Sequence, residues 1–233
     1  MKVVISLGGI FFVDAASIKK VAEVLEELAK SCNLYVVTGG GEIARECIKI
    51  ARDLGANEAF CDYIGIALTR INAKLLISAL KDAYPEPFAD YKEVAEAKVE
   101  ADVKGGGEEA KIAVMGGVSP GYTTDAVAAI LAEYVNADLL INVTSVDGVY
   151  DADPRIYPDA RKYDKLTPKE LVALTMKEEL IAGSRIIIDP VAAKIIERSG
   201  IKTIVIEGSN PQNILDAVHG KHRGTEINPE SHL

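Results

Sequence analysis

Residues 137–154, ADLLINVTSVDGVYDADP, form an apolar run that opens into a loop of hydroxyls, carboxylates and one tyrosine. Leu139, Leu140, Ile141 and Val143 make the short, nearly continuous apolar run of a parallel strand covered on both faces. Thr144, Ser145, Asp147, Gly148, Tyr150, Asp151 and Asp153 then stand at its carboxyl end, where open α/β sheets hold their ligands. Three glycine-rich turns also follow apolar runs: Gly8-Gly9, Gly39-Gly40-Gly41 and Gly116-Gly117. Glycine lets backbone amides approach an anion, and a following helix N-terminus adds favourable partial charge. Each turn alone is better explained by tight packing; three together are harder to dismiss. Their spacing matches neither GxxxxGK[ST] nor GxGxxG, which disfavours an ordinary P-loop or dinucleotide fold.

Arg45 follows Gly41 by one helical turn, so its guanidinium can swing over the helix start that the glycines open and clamp a phosphate. The alternative is a solvated helix arginine. Asp62, in FCDYIG, reads either as a helix cap or as an acceptor for a sugar hydroxyl, and position alone favours the cap. In the segment 115–125, MGGVSPGYTTD, Ser119, Tyr122, Thr123 and Thr124 offer neutral donors that suit a phosphate or a base edge. Asp125 there reads as a favourable charge at a helix N-terminus. Gly105-Gly106-Gly107 lies among polar neighbours and reads as a solvated loop. His219, His222 and His232 cluster near the C-terminus, which disfavours a histidine base or metal triad.

The elements that must position these residues alternate. Strands are expected at 2–7, 34–37, 112–115, 139–143 and, last, 202–206. Helices are expected at 17–29 with Ser17 as cap, 42–54, 69–80, 90–102, 124–134, 167–176 and 189–199. Thr167, Pro168 and Glu170 form a capping box, Asp189-Pro190 opens the next helix, and Gly200 ends it. Strands alternating with helices imply an α/β fold, a three-layer αβα sandwich on a mostly parallel central sheet. No linker divides the 233 residues.

A formal charge of -9 argues against a nucleic-acid-coating surface, so no nucleic-acid partner is expected. The cysteines, Cys32, Cys47 and Cys61, are odd in number and lack CxxC spacing, which argues against a disulfide framework or a zinc site. No segment approaches the roughly 20 apolar residues of a membrane span, and no signal peptide is read at the start. A cytoplasmic protein without a membrane partner is the expectation.

Taken in order, SLGG, VVTGGGEIAR, CDYIGIALTRINA, VMGGVSPGYTTDAVAAILAE, VTSVDGVYDADP and IIDPVAAKII resemble the amino-acid-kinase superfamily, and within it the archaeal type of uridylate (UMP) kinase. The resemblance implies transfer of the γ-phosphoryl group of ATP to UMP, with Mg²⁺ as cofactor and metal ligands unassigned. It implies that Gly40, Asp62, Val118, Ser119, Pro120, Gly121, Tyr122, Thr123 and Thr124 hold UMP. It places Gly9, Ile10, Gly41, Arg45, Thr144, Ser145, Tyr150 and Asp153 on the ATP side, with Arg45, Asp147 and Lys194 catalytic. It also implies one domain over 1–233, its acceptor-binding part at about 1–135 and its ATP-binding part at about 136–226, assembled as a homohexamer. Three positions depart from the family pattern: Ile10 stands for Ser, VSPGYTT for THPGHTT, and Ser145 for Asn. The lysine that many relatives carry in the first turn is missing; Lys194 reads either as its replacement or as a helix lysine that snorkels to solvent. The alternatives are another phosphotransferase of the superfamily and a non-catalytic nucleotide-binding or storage protein on the same fold.

Overall fold

Alternation along the first strand sets up two cores. In β1 (Lys2–Leu7), Val3, Ile5 and Leu7 point to one face of the sheet while Val4 and Ser6 point to the other. Both faces are buried, as the apolar run requires. The computed structural model describes residues 1–97, 99, 112–176 and 188–228. The chain continues through α1 (Ala15–Ala29), β2 (Asn33–Thr38), α2 (Gly41–Asp53), α3 (Glu58–Ala79), α4 (Tyr91–Glu96), β3 (Ala113–Met115), α5 (Thr124–Tyr134) and β4 (Leu139–Thr144). After the short β5 (Val149–Tyr150), β6 (Lys162–Tyr163) and β7 (Lys165–Leu166) come α6 (Pro168–Thr175), α7 (Pro190–Ser199), β8 (Thr203–Glu207), α8 (Gln212–Val218) and β9 (Thr225–Ile227).

The main sheet has seven strands in the order β3-β2-β1-β4-β8-β9-β7, the first five parallel and β9 antiparallel to β8. Helices α1, α3 and α8 cover one face and α4, α5, α6 and α7 the other, giving the expected αβα sandwich. From β1 the chain winds outward to β2 and β3, then returns to lay β4 on β1's other side and β8 beyond it. The carboxyl ends of β1 and β4 therefore flank the point where the winding reverses, which opens a crevice in such sheets.

Several boundaries differ from the sequence expectation. Asp14, not Ser17, caps α1: its carboxylate accepts the Ser17 amide at 2.7 Å. The expected helix at 69–80 begins eleven residues earlier, at Glu58, capped by Asn57, so Asp62 lies inside α3 rather than at its cap. The helix expected at 90–102 is the short α4, capped by Asp90; residues 98 and 100–102, the Gly105–Gly107 loop and His232 lie outside the described residues. Strand 202–206 is followed by α8 and β9. These escape a periodicity reading because β9 has three residues and α8 buries only Ile214 and Ala217. The Thr167–Glu170 capping box, the Asp189 cap and the left-handed Gly200 are as expected.

Candidate active site

The turn after β1 and the turn after β2 touch through their backbones. A Cβ on Gly9 would lie 2.1 Å from the Gly41 amide nitrogen, and Gly41 itself has φ +69. Only glycines allow that approach. Gly8 is tied to β4 through its amide, 3.0 Å from the Val143 carbonyl, and the Gly39 amide reaches the Leu7 carbonyl at 2.8 Å. The glycines thus bring the ends of β1, β2 and β4 to one place. Among the described residues no side chain caps the α2 N-terminus, whose Gly40, Gly41 and Glu42 line an open cavity. Uncapped amides at a helix start are a ready anion site.

That cavity has a volume of about 570 Å³ and lies over the reversal point of the sheet. Of the residues expected to act, it is lined by Gly9, Ile10, Gly40, Gly41, Arg45, Asp62, Tyr122, Thr123, Thr124, Thr144 and Ser145. The remaining acceptor-loop residues, Val118, Ser119, Pro120 and Gly121, form the outer turn of the same loop and are not in the lining. Arg45 stays mostly in solvent and pairs with Glu42 one turn back. It therefore reaches the cavity wall without carrying any core.

Helix α3 is the strut that holds the loops, and apart from Asp62 the sequence reading passed over its polar residues. Asn72 donates to the Gly39 carbonyl at 2.8 Å, so it fixes the glycine turn after β2. Thr69 accepts the Gly117 amide at 2.7 Å, and Arg70 donates to the Gly117 carbonyl at 3.1 Å, which fixes the turn after β3. Asp62, two turns earlier on the same face, accepts the Gly121 amide at 2.8 Å and so anchors the acceptor loop. A polar i, i+3 pair, Thr69 and Asn72, inside an apolar helix is the signal that could have found this. From the opposite layer, Asp189 caps α7 and also accepts the Thr123 hydroxyl.

Asp125 lies deeper than a charge placed to favour a helix N-terminus would. Its carboxylate accepts the Ser6 hydroxyl at 2.8 Å on the cavity floor. Removal from water pushes its pKa up to about 7; the Ser6 and Asn142 hydrogen bonds oppose this and the Asp189 charge adds to it. The carboxyl is thus poised between its two forms near neutrality.

Past β4, Asp147 is not among the lining residues. Burial works to raise its pKa, but hydrogen bonds from Tyr150 and Lys162 and the Lys162 charge outweigh this and hold the carboxyl below its ordinary range. The Tyr150 hydroxyl donates to Asp147 at 2.5 Å, which keeps the phenol neutral with a pKa pushed up to about 12. Lys162 spans from Asp147, at 3.1 Å, to the Arg223 carbonyl, at 2.8 Å, so the chain just before β9 holds this loop in place. Asp153 is also outside the lining; its carboxylate grips Arg155, which is in the lining and was not singled out from the sequence. Lys194 stands apart from the cavity. On the solvent side of α7 its ammonium pairs with Glu197 at 2.8 Å, and it is not among the cavity residues. Among the described residues no group of three His, Cys, Asp or Glu can close around a metal ion, and no helix is long and apolar enough to cross a membrane.

Comparison with known proteins gives consistent findings. The model of the Amino acid kinase family matches residues 1–207. The chain is 50% identical over 222 residues to a uridylate kinase of Methanococcoides burtonii, covering 94% of this chain and 91% of that protein. The crystal structure of uridylate kinase from Archaeoglobus fulgidus superposes with a TM-score of 0.85 at 49% identity, covering 97% of this chain and all of that one. The UMP kinase of Ureaplasma parvum, at 25% identity, superposes with a TM-score of 0.76 over 98% of both chains.

Proposed function

The chain belongs to the amino acid kinase family, and from that membership we propose that it is a UMP kinase, moving the γ-phosphoryl group of ATP to UMP to give UDP and ADP. The observation that carries this reading is a single cavity in which the uncapped start of α2 lies between two loop systems, 122–124 on one side and 144–146 on the other. Phosphoryl transfer asks for alignment of donor and acceptor and for neutralisation of charge rather than for a nucleophilic side chain. Glycine amides at a helix start and an exposed arginine supply both.

In this reading residues 1–135 hold the acceptor and 136–226 the donor. Gly40, Asp62 and the loop 118–124 hold UMP, with Asp62 and Asp189 keeping the loop in register. Gly9, Ile10, Gly41, Thr144 and Ser145 border ATP, and Arg45 follows the phosphoryl group in flight. Asp147, fixed by Lys162 and Tyr150, orients the donor loop from behind. Mg²⁺ would arrive with ATP and neutralise charge on its phosphates, and Glu42, Asp62 and Asp125 are the carboxylates of the lining that would be available to hold it. Exposed Ile50, Leu54 and Phe60 on α2, its following turn and α3 support a homo-oligomer; the hexamer comes from the family resemblance, and a cytoplasmic location belongs to the same reading.

The test is a transfer assay with ATP, Mg²⁺ and each of UMP, CMP, GMP and AMP, following the diphosphate formed. UDP as the dominant product supports the reading. Nucleotide binding without turnover of any acceptor would mean a binding protein on this fold, and preference for a non-nucleotide acceptor a different phosphotransferase.

A further inference from the structure

Thr69 is a polar residue buried in an apolar helix, at 6% exposure, where an unused hydroxyl would be costly. It stands between two of the glycine turns. Its Oγ1 accepts the Gly117 amide at 2.7 Å, and a Cβ built on Gly116 would come within 2.8 Å of that same oxygen. Its methyl carbon, Cγ2, lies 3.6 Å from where a Cβ on Gly40 would be, an ordinary contact distance. One side chain thus separates the turn after β2 from the turn after β3, with an apolar branch for the first and a polar branch for the second.

The spacer is braced. The Thr69 hydroxyl donates its one proton to the Ile66 carbonyl at 2.7 Å, so it has none left for a ligand although the residue reaches the cavity lining. Thr38, the fully buried last residue of β2, donates to the Thr69 carbonyl at 2.9 Å and lies 3.3 Å from the carbonyl of Met115, the last residue of β3. One turn along α3, Asn72 donates to the Gly39 carbonyl at 2.8 Å and lies 3.3 Å from that of Gly40. The ends of β2 and β3 and the turns that follow them are therefore laced to one stretch of α3. A buried polar network whose members are satisfied fixes a single arrangement of the groups around it. The turn after β3 leads directly into residues 118–124, and none of the bonds just named reaches the loop 144–146.

We propose that Thr69 is a positioning residue that sets the gap between the start of α2 and the acceptor loop, holding the acceptor half of the cavity at a fixed width without touching the ligand. Asn72 holds the α2 side of the same gap. The assignment rests on the UMP kinase reading for the identity of the acceptor.

The experiment combines amide hydrogen exchange on the unliganded chain with separate calorimetric titrations of UMP and of ATP, in wild type, T69A, T69V, T69S and N72A. T69A removes the hydroxyl outright. T69V replaces it with a methyl that must stand off from the Gly117 amide, so T69A carries the test if T69V fails to fold. In both, peptides covering 116–124 should exchange about tenfold faster or more, while those covering 139–146 stay within about twofold. UMP must then order the freed loop as it binds, and one or two freed residues correspond to a loss of about 10- to 100-fold in affinity. ATP, bound away from that loop, should stay within about twofold. T69S, which puts the hydroxyl back on the alanine variant, should recover to within about threefold of wild type in both measurements. N72A loosens the turn that both ligands share in this reading and should weaken UMP and ATP together. Unchanged exchange at 116–124, faster exchange throughout the chain, equal losses of UMP and ATP in T69A, or a T69S variant as poor as T69A would overturn the role of Thr69. An N72A variant that spares both ligands would overturn that of Asn72. The exchange contrast needs no nucleotide, so failure of the wild type to bind or phosphorylate UMP would strike the proposed function and leave the gap readable.

Discussion

Replacing Gly9 by alanine tests whether the contact between the first two turns shapes the site. The new Cβ would sit 2.1 Å from Gly41 N and 2.2 Å from Gly41 Cα, where ordinary contact begins at 3.4 Å. Backbone lies on both sides, so no rotamer change relieves the overlap. The turns must part by about 1.3 Å, the difference between 3.4 and 2.1 Å. Overpacking of this kind costs about 1–3 kcal/mol, or roughly 2–12 °C in melting temperature for a chain of this size. The larger consequence is functional. Gly41 begins α2, so parting the turns carries the helix start away from the end of β1, and a misplacement near 1 Å can cost about 100-fold in turnover. The control is Gly55→Ala: Gly55 also has positive φ, +90, but a Cβ there meets nothing within 4 Å. It should lose about 1–2 kcal/mol to backbone strain alone, with turnover per folded molecule unchanged. Melting curves and UMP-dependent ADP release on both variants make the comparison. Gly9→Ala turning over within threefold of wild type, or Gly55→Ala losing as much turnover as Gly9→Ala, would refute the reasoning.

Three further outcomes are expected. Arg45→Ala should lower kcat by tenfold or more while moving the melting temperature by no more than about 2 °C, because the side chain carries only an exposed pair with Glu42; an equal loss of stability would make the residue structural. Asp125, with a folded pKa raised to about 7 against an ordinary value of 3.8, stabilises the fold only while protonated. Its contribution is full below about pH 4 and is lost as pH rises to about 7, by at most about 1.4 kcal/mol per pH unit. The melting-temperature advantage of wild type over Asp125→Asn should therefore shrink between pH 5 and pH 8, and a constant or growing advantage contradicts the burial argument. Lys194→Ala should leave kcat within about threefold, since the ammonium is engaged with Glu197 on the solvent side of α7; a hundredfold drop measured in the same transfer assay would restore the catalytic role that resemblance gave it.

What the sequence determined by itself is most of what is governed by residues a few positions apart. The two-face burial of residues 2–7 and 139–143, the Thr167–Glu170 capping box, the Asp189 cap and the left-handed Gly200 were all readable, because each follows from contacts within about one helical turn. Where two polar residues compete within such a turn, as Asp14 and Ser17 do, the choice was not readable, and the Asp62 cap failed because α3 starts earlier than its apolar period shows. The glycine turns were visible as turns, but their meeting was not: Gly9 touches Gly41 only because β1 and β2 are parallel neighbours. The same holds for Asp62 on Gly121, 59 residues away, and for Thr123 on Asp189, 66 residues away. Arg155 lay hidden for this reason too, one basic residue among others in a loop until the strand order set the end of β4 beside the end of β1. Local chemistry writes elements and caps into a chain, whereas a site is made where distant elements end together, and only the packed sheet decides which ends those are.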